Sequence, residues 1–332
     1  MKQYLNDLRT ILQHGEKRST RSGDTLSIFG LQTRYNLKER FPAVTTKKLA
    51  WKSVVAELLW FLEGSGDERR LAEILHGTRD NNKKTIWTAN VNADYWKGEN
   101  GDAGRIYGVQ WRKWRSTKLY GKSESDELIL GRHEYIDQIA NLIEGIKTDP
   151  TGRRHIISAW NPSDLDNMVL PPCHVLSQFY VMPYTLDQRI TIFKELYPTI
   201  GTDSIQSGYG NVEDLLDAYN IHKGKLSCQM YQRSGDFFLG IPFNLASYSL
   251  LTHMIAQVCD LNVGEFIHTI GDAHIYCNHI TQVNEQLNRS VYDDFASVQL
   301  NPDIKDINDF TMNDITLRNY KHHPAIKASM AV

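Results

Sequence analysis

Apolar residues recur at Tyr4, Leu5, Leu8, Ile11 and Leu12 of the opening stretch MKQYLNDLRTILQH. That three-to-four-residue period predicts an amphipathic helix. Residues 25–37 (TLSIFGLQTRYNL) are instead rich in β formers and alternate in parts, which predicts one or two strands. A helix follows over 52–63, with a broad apolar face from Trp51, Val54, Val55, Leu58, Leu59 and Leu62. Residues 64–83 are polar and read as helix or loop, and 91–133 read as surface excursions around the block IYGVQWR. A further amphipathic helix is expected over 136–147, stopped by Asp149-Pro150-Thr151-Gly152. HIISAW (155–160), VLSQFYV (175–181) and LSCQMYQRSG (226–235) predict strands. Between the last two, 182–223 interrupts what would otherwise be a hairpin; only 214–219 reads as helical there. Residues 246–260 predict a strongly apolar helix, 266–270 and 274–276 strand or loop, and 278–287 a helix. No repeat, low-complexity tract or linker divides the chain, so the expectation is a single α+β domain over 1–332, with excursions near 66–133 and an insertion near 182–223.

Composition narrows the function classes. At 332 residues, 41% hydrophobic and 23% charged, the chain can build a sizeable core. A net charge of −2 provides no global field for nucleic acid or membrane, so any anion site must be local. The first helix is not an uninterrupted apolar run, and no stretch approaches the roughly 20 apolar residues of a membrane span. Cys173, Cys228, Cys259 and Cys277 form no C-x-x-C pair. The expectation is a cytoplasmic protein with free thiols.

The candidate chemistry starts at LPPCHVLSQF (170–179). Cys173 follows two prolines that fix the backbone and precedes His174. It is either a small buried hydrophobe or a nucleophile, and a thiolate needs positive surroundings. Arginines stand beside small or turn residues at Arg21 (STRSGDT), Arg153 and Arg154 (PTGRRH) and Arg233 (YQRSGD). Taken singly, each is a solvated surface group; converging, their forks would hold a phosphate dianion. Asn244 ends the bent apolar run GIPFN. It is a helix cap, or an amide that reads a base edge offering one N–H and one C=O, as uracil does. His274 and Tyr276, two apart in GDAHIYCNH, share one face of an extended segment and suit a sugar hydroxyl. The alternative metal set of His274, Cys277 and His279 matches no zinc spacing, and no metal is expected. His322 and His323 read as loop surface. Glu57, inside an apolar helix face, either snorkels or is kept for proton transfer. Trp87 in TIWTAN is core or an aromatic wall for a flat ligand.

In this order the blocks RSGDTLSIFG, FPAVTTKK, ELLWFLEG, IYGVQWR, GRRHIISAWNP, LPPCH, QMYQRSGDFFLGIPFNLASYSLL, GDAHIYCNH and HHPAIKASMAV resemble the thymidylate synthase family over nearly the whole chain. The resemblance implies a large twisted mixed sheet, covered by helices on one face and packed sheet-to-sheet in a homodimer on the other. It implies methylation of dUMP at C5, with 5,10-methylenetetrahydrofolate giving carbon and hydride and leaving as dihydrofolate. Cys173 resembles the nucleophile that adds to uracil C6, with Glu57, Tyr107, Asn244 and His174 in the catalytic set. Arg21, Arg233 and Ser234 resemble phosphate ligands, and Arg153 and Arg154 the pair given by the other subunit. Asn244 resembles the uracil reader, and His274 and Tyr276 the deoxyribose ligands. Asp236 belongs with both substrate and folate, beside Ile86, Trp87, Leu170 and Gly240 of the folate wall. Lys47 resembles a group near the folate's glutamate tail, and Val332 the carboxylate of a closing C-terminal tail. Departures from the family's pattern are Gly235, Thr88 where Asp is frequent, Asn90, Ser329 where Pro is usual, and the insertion in place of a short turn. Competing readings are a deoxyuridylate hydroxymethylase of the same fold, an RNA-binding role and a Cys–His hydrolase.

Overall fold

The computed structural model describes residues 1–98, 101–119, 131–200, 211–292 and 295–330. Along the chain run α1 (Lys2–His14), β1 (Glu16–Thr20), β2 (Gly23–Asn36), α2 (Trp51–Leu62), α3 (Glu68–His76), α4 (Thr88–Val91) and α5 (Tyr107–Arg112). Next come β3 (Trp114–Leu119), β4 (Gly131–Ile136), α6 (Gln138–Thr148), β5 (Ile156–Ser158), β6 (His174–Pro183), α7 (Leu186–Leu196), α8 (Val212–Ala218) and β7 (Gly224–Asp236). The chain closes with α9 (Ile241–Val258), β8 (Asn262–Tyr276), α10 (Ile280–Leu287), β9 (Ser297–Leu300) and β10 (Ile315–Arg318).

The main sheet has six strands in the order β1-β2-β8-β7-β6-β5. Only β7 and β8 pair in parallel, so the sheet is mixed and the fold is α+β. The crossover between the parallel strands is α9. At 18 residues it is about 27 Å long. It is buried nearly all round, as expected of a helix apolar on every side. Pro242 lies in its first turn, where a missing N–H costs nothing. Against the same sheet face α1 buries Tyr4, Leu5, Leu8 and Ile11 of the face its periodicity predicts, with Leu12 half-buried at its margin. No helix among the described residues is long and apolar enough to cross a membrane.

Strand β8 is one continuous element where the pattern predicted two pieces. Its most deeply buried side chains are Phe266, His268 and Ile270, then Ala273 and Ile275, so the two-residue alternation slips by one at Gly271. Opposite, Gly30 of β2 sits at φ +86°, which side chains with a Cβ rarely adopt. A Cβ at Gly271 would lie 2.7 Å from the Arg233 carbonyl oxygen of β7. The slip turns His274 and Tyr276 away from the helix-packed face that Ala273 and Ile275 occupy.

On the other face no helix among the described residues packs. Phe29 (84% exposed), Tyr180 (50%), Ile156, Leu176, Met182 and Tyr231 are exposed there, among Gln32, Gln229 and Thr269. At one end, β6 and β7 pair as far as Pro183 opposite Gly224, and the chain between them carries α7 and α8. These helices close on a core of their own, Phe193, Leu215, Leu216 and Ile221, separate from the main one. Sequence periodicity predicts only α8. The start of α7 is a capping box, Thr185 with Gln188.

Candidate functional site

Cys173 lies at the mouth of β6, and its backbone is held from several directions. Its N–H donates to the Tyr107 hydroxyl at 2.8 Å, and its carbonyl accepts from the Arg233 N–H at 2.8 Å. The Arg233 guanidinium bonds the carbonyls of Pro172 (3.0 Å) and Pro171 (2.8 Å) and the Ser234 hydroxyl (3.2 Å). The two prolines thus present carbonyls to Arg233 as well as stiffening the approach. The Cys173 Sγ lies 3.7 Å from the Ser234 Oγ. A partly exposed sulfur, a hydroxyl and a guanidinium therefore converge within one strand pair.

The buried side of this cluster is aromatic. Tyr107, from α5, packs on Phe61, Trp87 and His174. Burial, then the neighbouring Cys173, pushes its phenol well above the usual range, so it stays neutral. His174 is wedged between Tyr107 and Tyr248, with Asn244 beside its ring. Burial lowers its pKa to about 4, so it is a neutral imidazole near pH 7. Glu57 retains some solvent access, yet desolvation lifts its carboxyl to about 7, opposed by a 2.7 Å hydrogen bond from the Trp87 indole N–H. A carboxyl tuned there exchanges protons readily at neutral pH.

Asn244 is the fourth residue of α9, whose N-cap is Gly240, so it is not the helix cap. Its Oδ1 accepts from Gln232 Nε2 (3.1 Å), and Gln232 Oε1 is 2.8 Å from His268 Nε2. Burial takes His268 down to about 3, so its ring is neutral, and Nε2–H is the donor that completes this chain. The relay fixes which way the Asn244 amide faces. Gln232 and His268 are candidate site residues that the sequence alone did not mark. The available signal was an amide at an inward position of a buried strand, which must find partners.

The other expected residues fall as follows. His274 (Nδ1 3.2 Å from the Asp272 carbonyl) packs edge-on against Tyr276. Asp236 accepts from the N–H groups of Phe238 (2.9 Å) and Leu239 (3.1 Å), which orients its carboxylate. Gly240, Leu170 and Trp87 are buried or half-buried, and Ile86 is exposed beside Trp87. Lys47 is buried, its ammonium on the Phe238 carbonyl and 3.7 Å from the Phe238 ring centroid. Desolvation brings its pKa down to about 7. Arg21, Arg153 and Arg154 are exposed, the first in the β1–β2 turn and the pair just before β5 at the sheet's edge. Val332 lies outside the described residues; the tail is held by His279 Nε2 on the Ser329 carbonyl (2.7 Å). Among the described residues no three His, Cys, Asp or Glu side chains cluster to hold a metal ion. A cavity of about 800 Å³ lies beside Glu68, Thr85 and Thr88 and does not reach Cys173.

A held cysteine, an arginine on its flank and an oriented asparagine narrow the choice, and a comparison with known proteins decides it. A family profile described as thymidylate synthase matches residues 2–332. The chain belongs to the thymidylate synthase family. It is an enzyme of that type, and the family implies dUMP and methylenetetrahydrofolate as its substrates. Within a thymidylate synthase, Thr88 and Ser329 still depart from the usual residues. Thr88 is buried, with its hydroxyl on Glu68, and Ser329 accepts from Asn278 Nδ2 at 3.3 Å.

Proposed function

We propose that the chain converts dUMP to dTMP by reductive methylation at C5, through covalent addition of Cys173 to uracil C6. The observation that carries this reading is the convergence of Cys173, Arg233, Ser234 and Tyr107. Uracil C5 is a poor nucleophile; a sulfur–carbon bond at C6 pushes the ring's electron pair onto C5, which then bonds the one-carbon unit. Loss of the C5 proton would release the one-carbon unit from the folate nitrogen, the folate's hydride would reduce it to a methyl group, and departure of the sulfur from C6 would then restore the ring, leaving dTMP and dihydrofolate. Arg233 and Ser234, joined by Arg21, hold the phosphate and so bring C6 to the sulfur. Asn244, set by Gln232, pairs with the uracil edge. Glu57, half-charged near neutrality, exchanges protons with the ring oxygen through water, and neutral Tyr107 serves removal of the C5 proton. His174 contributes as a neutral hydrogen-bonding ring rather than as a cation.

The residues expected for the folate suit a flat, apolar-faced ring with polar N–H groups. Ile86 is 48% exposed despite being apolar, an indole lies beside it, and the Asp236 carboxylate is oriented by two backbone donors. When bound, methylenetetrahydrofolate supplies the carbon and the hydride.

The working unit in this reading is a homodimer. The uncovered sheet face, with Phe29, Tyr180 and Tyr231 exposed, is the kind of apolar surface that a second copy buries. Arg153 and Arg154 stand at its edge, free to serve the partner's phosphate site. Tyr180→Glu is expected to shift sedimentation from dimer toward monomer and to lower turnover with it. The reaction itself is tested by incubation with dUMP and methylenetetrahydrofolate. Equal amounts of dTMP and dihydrofolate are expected; hydroxymethyl-dUMP with tetrahydrofolate would contradict the reductive step.

A further inference from the structure

We propose that Glu68 is a positioning residue for Glu57, acting through Thr85 and Thr88 to fix the segment that aims the Trp87 indole. The inference rests on the reading of Glu57 as the proton-transfer carboxylate. Glu68, at the start of α3, is 1% exposed, a rare position for a carboxylate unless it is paired. Its Oε1 accepts from the hydroxyls of Thr85 (2.6 Å) and Thr88 (2.5 Å) and from Arg69 Nη2 (2.6 Å), and Oε2 accepts from Arg69 Nε (2.6 Å). Thr85 and Thr88 flank Trp87. The Thr85 hydroxyl accepts from the Trp87 N–H (3.2 Å), and the Thr88 hydroxyl accepts from the Thr85 N–H (2.8 Å). Arg69 also reaches the carbonyls of Asp80 and Lys83, so one buried ion pair collects both ends of the approach to Trp87.

The segment borders an open pocket along Thr85, Thr88, Ala89 and Asn92, and on its buried side the hydroxyls of Thr85 and Thr88 both bond Glu68. The far end of the chain of contacts is the 2.7 Å bond from the Trp87 indole to Glu57. The other titratable groups facing Glu57 are the phenols of Tyr107 and Tyr248, both held neutral by burial. Among the described residues the indole is thus the donor that favours the charged carboxylate. Thr88, one of the departures from the family pattern, is part of this arrangement.

The test is an infrared pH titration of the Glu57 carboxyl in the ligand-free protein, with the band assigned by its loss in Glu57→Gln. In Thr88→Val and Glu68→Gln the midpoint is expected to move up by about one unit, since a loosened indole stabilises the anion less. The acid limb of the kcat profile should move with it, and Thr88→Ser should restore both. An unchanged midpoint in Thr88→Val overturns the inference, even if Glu68→Gln does not fold. Retained turnover in Glu57→Gln would instead overturn the role of Glu57 while leaving the titration to decide the positioning.

Discussion

The Cys173 centre and the 182–223 insertion are built in opposite ways. Cys173 is tied to Tyr107 and Ser234, 66 and 61 residues away, and its surroundings merge with the main core through Trp87, Phe61 and Tyr248. The insertion closes on itself. Phe193 meets Leu215, Leu216 and Ile221, and the buried Arg189 bonds the Ile221 carbonyl and Asp217, about 30 residues on. One region exists only once distant parts of the chain have come together; the other rests mainly on contacts within 182–223, joined to the main body by His222 Nδ1, 2.9 Å from Asp260 Oδ1. Damage should therefore spread from the first and remain local in the second.

The largest effect is expected from Cys173→Ala. Removal of the attacking sulfur should take dTMP formation below detection, while nucleotide binding, which rests on the arginines and Asn244, changes only a few-fold. Glu57→Gln comes next. Turnover should fall by roughly 10²–10⁴, the usual share of a general acid–base group. The same change should stabilise the resting protein. The folded pKa of Glu57, about 7, lies above its ordinary value of 4.5, so folding takes up a proton and stability declines as pH rises through that window. Glutamine removes this penalty, worth up to about 3 kcal/mol at pH 8, and a higher Tm for the variant at pH 8 than at pH 4 relative to the parent would show it. Asn244→Asp should weaken discrimination against dCMP about tenfold, read as the ratio of kcat/KM values. Phe193→Ala should cost the insertion about 3–5 kcal/mol of its own stability. Hydrogen exchange should quicken across α7 and α8 while turnover stays within about twofold; lost turnover would erase the contrast between the two regions.

Regular periodicity made α1 and α2 legible, and an apolar run did so for α9, which starts at Ile241 rather than 246; each meets a single continuous core. The reading of β8 as two pieces failed at Gly271, where a slip in alternation looks like a break when only one strand is seen. The α7 segment was missed because LDQRITIFKEL mixes β-branched residues into a helix with a small apolar face, so its capping box was the better signal. At the site, local motifs marked Cys173, Arg233 and Asn244. Gln232 and His268 were hidden because an inward glutamine or histidine acquires meaning only from a strand that pairs beside it. Glu68 was harder still: within SGDERR it reads as one more solvated charge, and only the fold buries it.

The most direct test of Cys173 as the nucleophile uses dUMP carrying tritium at C5, incubated with methylenetetrahydrofolate and the intact chain or Cys173→Ala. Tritium should enter water in step with dTMP for the intact chain and stay on the nucleotide for the variant. Undiminished release by Cys173→Ala would contradict the addition of this sulfur to the ring.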